Sequence, residues 1–254
     1  MSILIPAVNE ACTVGAVVSA LRQLGAWHEI IVIDDGSTDG TGEVARHAGA
    51  TVIGHPATQG NGSAIKSGLR VASGDHVLII DADGQHRPED CLRLIHSLAH
   101  ADLVVGARSH RTHASLFRGI GNVALNAVST ALSGQRIPDL TCGFRAAKRA
   151  RLLEFVHLLP EGYSTPTTTT LAFIRAGYRV AFEPIDARAR LGKRKVHLGL
   201  DGLRFCVILF RIIRLLAPWR ELHRSRPYVE HSEKAPPAWT EASRQAVSNT
   251  EKPF

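Results

Sequence analysis

The sequence predicts an α/β protein with a mostly parallel central sheet and helices on both faces. Two observations predict it. From Ile3 to Arg108, short apolar β-prone runs alternate with helical stretches. Charged residues stand directly after those runs, at Asp34-Asp35, Asp81/Asp83 and Arg108, and open α/β sheets bind ligands beyond the carboxyl ends of their strands.

Ile3 to Ile5 is the first strand, stopped by Pro6, and Asn9 is placed to cap a helix from about Glu10 to Leu24. Glu29 to Ile33 is a second strand, ending in Asp34-Asp35-Gly36-Ser37-Thr38-Asp39, where Ser37 or Asp39 can cap the helix running to about His47. Thr51 to Ile53 is a short third strand. Gly60-Asn61-Gly62 opens the next helix, where the glycines either let backbone N–H groups approach a ligand or let the helix pack closely. Val77 to Ile80 is a buried strand, a helix follows from Pro88 to Leu98, and Asp102 to Val105 is the fifth strand. The second half is less regular. Helices are expected at Leu116 to Leu132 and Leu152 to Leu158, with 140–145 connecting them. A Thr-rich stretch from Tyr163 leads into a helix ended by Gly177. Two extended segments follow, Arg179 to Phe182 and Pro184 to Arg190.

The 254 residues carry 44% hydrophobic and 21% charged residues and a net charge of +7. That composition suits a globular core and favours an anionic partner. Cys12, Cys91, Cys142 and Cys206 are scattered without a CxxC pair, which suggests neither a zinc site nor a disulfide framework. No signal peptide is visible, and no apolar run approaches the roughly 20 residues of a membrane span. A core strand at residue 2 is an abrupt start, as in a chain that continues upstream.

The chemistry centres on Asp81-Ala82-Asp83-Gly84-Gln85-His86. Three oxygen-bearing side chains two residues apart can converge on one point, and oxygen donors suit Mg2+ or Mn2+. The alternative is a solvated strand-end turn that caps the next helix. A dinucleotide fold would need its glycine-rich turn after the first strand, where this chain has Pro6-Ala7-Val8-Asn9-Glu10. A haloacid-dehalogenase phosphatase would place Asp-x-Asp after the first strand, not the fourth. A nucleic-acid-binding domain is disfavoured because the strand-end Asp pairs would repel a phosphate backbone.

The segments PAVNE (6–10), DDGSTDGT (34–41), GNGSAIKSG (60–68), DADGQH (81–86) and GAR (106–108) together resemble the nucleotide-binding half of family 2 glycosyltransferases with the GT-A fold. LTCGFR (140–145), EPI (183–185) and RLGKRK (190–195) resemble the dolichyl-phosphate mannose synthase and polyprenyl-phosphate hexosyltransferase branch. The resemblance spans about residues 2 to 219. It implies an inverting transfer of a hexose from a GDP-mannose or UDP-glucose type donor to a polyprenyl phosphate. Pro6, Val8, Glu10, Ile33 and Asp35 would contact the nucleotide, with Asp81, Ala82 and Asp83 at the donor diphosphate. Asp81, Asp83 and Gln85 would hold the Mg2+ or Mn2+. Arg108 and Arg118 would face the acceptor phosphate and, with Asp83, form the catalytic set. Arg190 and Lys195 would close over the diphosphate. Val8 stands where Tyr is frequent, and Arg194 where Ser is usual.

The expected organisation is a transferase domain over 1–197, with a nucleotide half at 1–110 and an acceptor half with the basic loop at 111–197. An amphipathic helix at 198–222 and a disordered tail at 223–254 follow. Arg204, Arg211 and Arg214 share one side of that helix and apolar residues fill the rest, with Trp219 at its end. Such a helix either lies in a membrane interface or packs on the protein's own core. The expected location is peripheral, at the cytoplasmic face of a membrane, with no nucleic-acid partner. His86, Asn122 and Thr165–Thr170 are assigned packing and capping roles.

Overall fold

The computed structural model describes residues 1–25, 27–108, 116–161 and 164–188, with 116–122 as backbone only. The strands are β1 (Ser2–Ala7), β2 (Glu29–Asp34), β3 (Thr51–Gly54), β4 (His76–Ile79), β5 (Leu103–Arg108), β6 (Arg145–Lys148) and β7 (Val180–Ile185). They form one sheet in the order β3-β2-β1-β4-β6-β5-β7. All pairs are parallel except those of β6, which runs antiparallel between β4 and β5. The helices are α1 (Ala11–Leu24), α2 (Thr41–His47), α3 (Asn61–Val71), α4 (Asp90–Ser97), α5 (Leu116–Ser133), α6 (Arg149–Glu154) and α7 (Thr165–Arg175).

The interior strands are buried on both faces. Ile3, Leu4, Ile5, Val32, Ile33, Val77, Leu78, Leu103, Val104 and Val105 have no exposed surface. A strand with helices against both faces must be apolar at every position, and that is why these runs are legible in sequence. Helix α1 buries Val14, Val17, Val18 and Leu21, spaced three and four residues apart. A smaller cluster of Leu125, Ile137, Leu140 and Leu171 joins α5 to α7. No helix among the described residues is long and apolar enough to cross a membrane.

Three expectations are corrected. Asn9 does not cap α1: it adopts φ 50 and its Oδ1 accepts the Thr38 N–H instead. The cap comes from the next loop, where Asp39 Oδ2 accepts the Ala11 N–H at 3.1 Å and Oδ1 accepts the Thr41 N–H at 3.0 Å. One carboxylate thus serves two helix starts. Arg145, expected at the end of the connection 140–145, instead opens the antiparallel strand 145–148. Arg-Ala-Ala-Lys has little β propensity, and pairing on both sides overrides it. The two extended segments around Pro184 are one strand. Strand β7 is paired only with β5, so the missing N–H of Pro184 breaks no second ladder.

Candidate active site

The carboxyl ends of β1, β2, β4 and β5 share one edge of the sheet. Register places Ala7 beside Asp34 and Asp34 beside Gly54. The Ile80 N–H extends β4 by donating to Leu4 O at 3.1 Å. Asp81 and Asp83 therefore leave the sheet close to the loop that follows β1.

Asp35 is 3% exposed and both its oxygens are engaged within the protein. Oδ1 accepts from the Gln59 N–H at 2.9 Å and from His55 Nδ1 at 2.7 Å, and Oδ2 accepts from the Gly60 N–H at 2.8 Å. His55 Nε2 lies 2.9 Å from Ser67 Oγ. Burial pushes the Asp35 carboxyl up, but these donors outweigh it and hold it below the usual carboxylate range. Asp35 thus fixes the glycine-rich turn. The Gly60-Asn61-Gly62 alternatives are settled at Gly62 in favour of close packing: a Cβ there would lie 1.6 Å from Pro160 O. Glu10 is buried, and Pro6 and Val8 are partly exposed. Ile33 is 0% and Ala82 2% exposed, so neither presents surface to a ligand in this structure.

The Asp81–Gln85 turn closes on Gly84, with φ 72. Asp83 is buried and its Oδ1 accepts the Gln85 N–H at 3.0 Å. Gln85 also ties this turn to the segment after β7. Its carbonyl accepts the Arg188 N–H at 2.8 Å, and its Nε2 donates to Arg188 O at 3.4 Å. Asp81 keeps 35% of its side chain exposed, and its Oδ2 accepts from His86 Nε2 at 3.3 Å. His86 is buried and stacks on Phe144, with ring centroids 5.0 Å apart. Burial raises the Asp81 carboxyl. The His86 hydrogen bond and the charges of Arg108 and Arg145 outweigh that and lower it, so it is an anion at neutral pH.

These residues fit a hard divalent ion. The described residues contain no cluster of three His, Cys, Asp or Glu side chains suited to a metal. Two carboxylates and an amide oxygen are nevertheless the sparse donor set of Mg2+, which takes its remaining ligands from water and substrate phosphates. The surroundings are shaped around Asp81: a Cβ on Gly143 would sit 2.8 Å from Oδ2 and 3.0 Å from Oδ1.

A cleft of about 240 Å3 opens here, lined by Asn61, Asp81, Thr141, Gly143, Ser164, Pro166 and Thr167. A larger open hollow of about 410 Å3 lies by Arg22, Trp27, His28 and Glu29. It is at the start of β2, the sheet edge opposite these carboxylates, and holds none of them. We therefore place the site in the smaller cleft.

Arg108, at the end of β5, is held by Asp139. Its Nε donates to Oδ2 at 2.7 Å and its Nη2 to Oδ1 at 3.1 Å, with Thr141 Oγ1 also accepting from Nη2 at 2.8 Å. The Arg108 side chain is 27% exposed and that of Asp139 5%. Burial raises the Asp139 carboxyl, but Arg108 holds it below the usual range. The fork leaves Nη1 of Arg108 without a hydrogen-bond partner among the described residues. Arg145 is buried beneath the cleft, and burial pulls it down to about 10, so it remains a cation at neutral pH.

The structure therefore brings Asp81, Asp83, Gln85 and Arg108 to one edge of the sheet. The side chains of Arg118 and Asn122, all of Arg190 and Lys195, and residues 198–254 lie outside the described residues. Sequence reasoning missed Asp139, Gly143 and Arg145, and it gave His86 only a packing role. The signal for the first three was present: charged residues at 139 and 145 bracket an apolar segment, and charges that are buried need partners. Within the Thr165–Thr170 run, Pro166 and Thr167 line the cleft, while other members pack within the helix. Thr169 and Thr170 donate back to Thr165 O and Pro166 O within α7, at 2.7 and 3.0 Å.

Comparison with known proteins bears on this geometry. An undecaprenyl-phosphate 4-deoxy-4-formamido-L-arabinose transferase of Pectobacterium carotovorum is 32% identical over 62% of this chain and 51% of that protein. An undecaprenyl-phosphate mannosyltransferase of Micrococcus luteus is 29% identical over 78% of this chain and 88% of that protein. Against several relatives the match spans only 51% to 63% of their length. Among solved structures, glucosyl-3-phosphoglycerate synthase from Mycobacterium tuberculosis, in complex with Mn2+, UDP and its product, superposes with a TM-score of 0.70. It is 25% identical, over 85% of this chain and 79% of that one. The GT-A architecture is thereby shown. The family model for glycosyl transferase family 2 matches residues 2–152, more than half of the chain, which therefore belongs to that family.

Proposed function

We propose that this chain is a metal-dependent transferase that moves a hexose from a nucleotide sugar to a polyprenyl phosphate, at the cytoplasmic face of a membrane. The observation that carries this reading is the meeting of Asp81, Asp83 and Arg108 at one sheet edge beside a small cleft. Relatives named as undecaprenyl-phosphate transferases support the acceptor class.

Asp81, Asp83 and Gln85 would hold Mg2+ or Mn2+, which when bound supplies positive charge against the departing diphosphate. Pro6, Val8 and Glu10 would border the nucleotide, over a turn that Asp35 keeps in place, with the buried Ile33 and Ala82 supporting them from below. Arg108, with Arg118, would receive the acceptor phosphate, and Arg190 and Lys195 would add positive charge near the diphosphate. The acceptor phosphate oxygen forms the new bond to the anomeric carbon as the bond to the diphosphate breaks, with inversion. That oxygen is already ionised near neutral pH, so no side chain is assigned as a general base. Segment 198–222, expected from its sequence to be amphipathic, would lie at the membrane surface. Nucleic acid is not a partner in this reading, because the Asp pairs at the strand ends would repel a phosphate backbone.

The test is turnover of a nucleotide-sugar panel with a short-chain polyprenyl phosphate, with and without Mn2+, on wild type and Asp83→Ala. Metal-dependent sugar-phosphate lipid, lost in the variant, is the expected result. Absence of donor binding in metal-loaded wild type would sink the proposal. A second reading is favoured by one observation, the 0.70 TM-score with a glucosyl-3-phosphoglycerate synthase: a small, soluble phosphorylated acceptor. Including phosphoglycerate in the acceptor panel separates the two.

A further inference from the structure

Arg145 opens the antiparallel strand β6. Register sets it opposite Ile79 of β4 and opposite Val105 of β5, two residues before Asp81 and three before Arg108. It is 3% exposed. Each of its nitrogens meets a main-chain carbonyl. Nε donates to Gly143 O at 3.4 Å, Nη1 to Pro166 O at 2.9 Å, and Nη2 to Cys142 O. No carboxylate among the described residues lies within ion-pairing distance of it. Its neighbour Arg108, by contrast, has Asp139.

Two features set Arg145 apart from a packing residue. Two of its three acceptors line the cleft: Gly143, just before β6, and Pro166, in the first turn of α7. Its charge is buried with no counter-ion within ion-pairing distance among the described residues, an arrangement that a neutral side chain would avoid. Gly143, one of its acceptors, is packed against Asp81 without room for a Cβ. Arg145 is also among the charges acting on Asp81.

We propose that Arg145 is a positioning residue of the donor site. Its fork ties the Gly143 and Pro166 segments of the cleft lining to each other, and its charge biases the cleft toward the anionic diphosphate and against a bare cation. The inference rests on the donor being a nucleotide sugar. Removing the charge moves two affinities in opposite directions. A bare divalent ion gains from loss of a nearby cation, and a nucleoside diphosphate without metal loses by it. A purely structural role would weaken both together, because a loosened cleft binds everything less well.

The experiment is calorimetric titration of wild type, Arg145→Met and Arg145→Lys with Mn2+ alone, and with UDP or GDP in the presence of a chelator. Circular dichroism and thermal melts run alongside. Arg145→Met is expected to bind Mn2+ at least about threefold more tightly and the nucleotide at least about threefold more weakly, as expected for loss of one nearby unit charge. Arg145→Lys keeps the charge and holds both affinities within about twofold. Its kcat falls, because an ammonium cannot reproduce the planar fork to three carbonyls. Parallel loss of both affinities in Arg145→Met, or no change in either, would overturn the proposal. Should Arg145→Met not fold, Arg145→Gln carries the same titrations. If both neutral variants fail to fold while Arg145→Lys folds, Arg145 belongs to the fold alone and the proposal is overturned. Wild type that binds neither UDP nor GDP removes the donor reading itself, and the inference with it, whatever the variants do.

Discussion

Gly143→Ala isolates the geometry of Asp81, the carboxylate proposed to hold the metal, from the stability of the fold. The added Cβ would lie 2.8 Å from Asp81 Oδ2, about 0.6 Å inside the 3.4 Å at which ordinary contact begins. Gly143 is not among the positive-φ glycines, so its backbone tolerates alanine. What must give is the Asp81 side chain, which is partly exposed and can turn. Turning it off its rotamer costs about 0.5–1.5 kcal/mol. Replacing glycine at a compatible position returns about 0.4–1 kcal/mol by restricting the unfolded chain. The two nearly cancel, so Tm should move by no more than about 3 °C. Activity should not be spared, because an oxygen displaced by several tenths of an ångström no longer meets a metal held at about 2.1 Å. A drop of about tenfold to hundredfold in kcat/KM is expected, with weaker Mn2+ binding in a direct titration. The assays are a thermal melt, a Mn2+ titration and steady-state turnover of the most active donor. A folded variant with wild-type Mn2+ affinity and turnover would refute the reasoning, because Asp81 would then not need its place. Loss of Tm by 10 °C or more would also refute it, by showing that the wall cannot yield at the side chain.

Other predictions follow from the charge pairs and the close packing. Asp139→Asn removes the bidentate partner of Arg108 and should cost about 2 kcal/mol, less than a fully buried pair because Arg108 is partly exposed; a denaturant melt measures it. The Asp139 and Asp35 carboxyls are held below their unfolded values. Their stabilisation is therefore fully present above an unfolded pKa of about 3.9 and is lost as pH falls through the lower folded values. Tm should be flat with respect to these groups from pH 7 to 5 and fall below about pH 4, and Asp139→Asn should shallow that acid limb. Gly62→Ala drives a Cβ to within 1.6 Å of Pro160 O. It should destabilise by about 3 kcal/mol, seen as a shifted urea midpoint; a midpoint unchanged from wild type would mean that this helix start is not closely packed.

The sequence alone determined the features that depend on near neighbours. Ile3–Ile5, Ile30–Ile33 and Val77–Ile80 are apolar on both faces, which only a sheet covered on both sides permits. The residues after each run must then lie at the carboxyl edge, so Asp34, Asp35, Asp81, Asp83 and Arg108 were legible as a group before any fold was known. The tertiary structure decided which of these charges are available and which are already engaged. Asp35 is satisfied by His55, Gln59 and Gly60, at least 20 residues away, and Arg108 by Asp139, 31 residues away. Nothing local in Arg-Ala-Ala-Lys marks it as a strand. Residues 145–148 become one because β4 and β5 leave a gap between them that an antiparallel strand fills. That insertion places Arg145 beneath the cleft and Gly143 against Asp81. Burial and pairing across a sheet are set by partners distant in sequence, and a reading based on periodicity and local motifs contains no term for them.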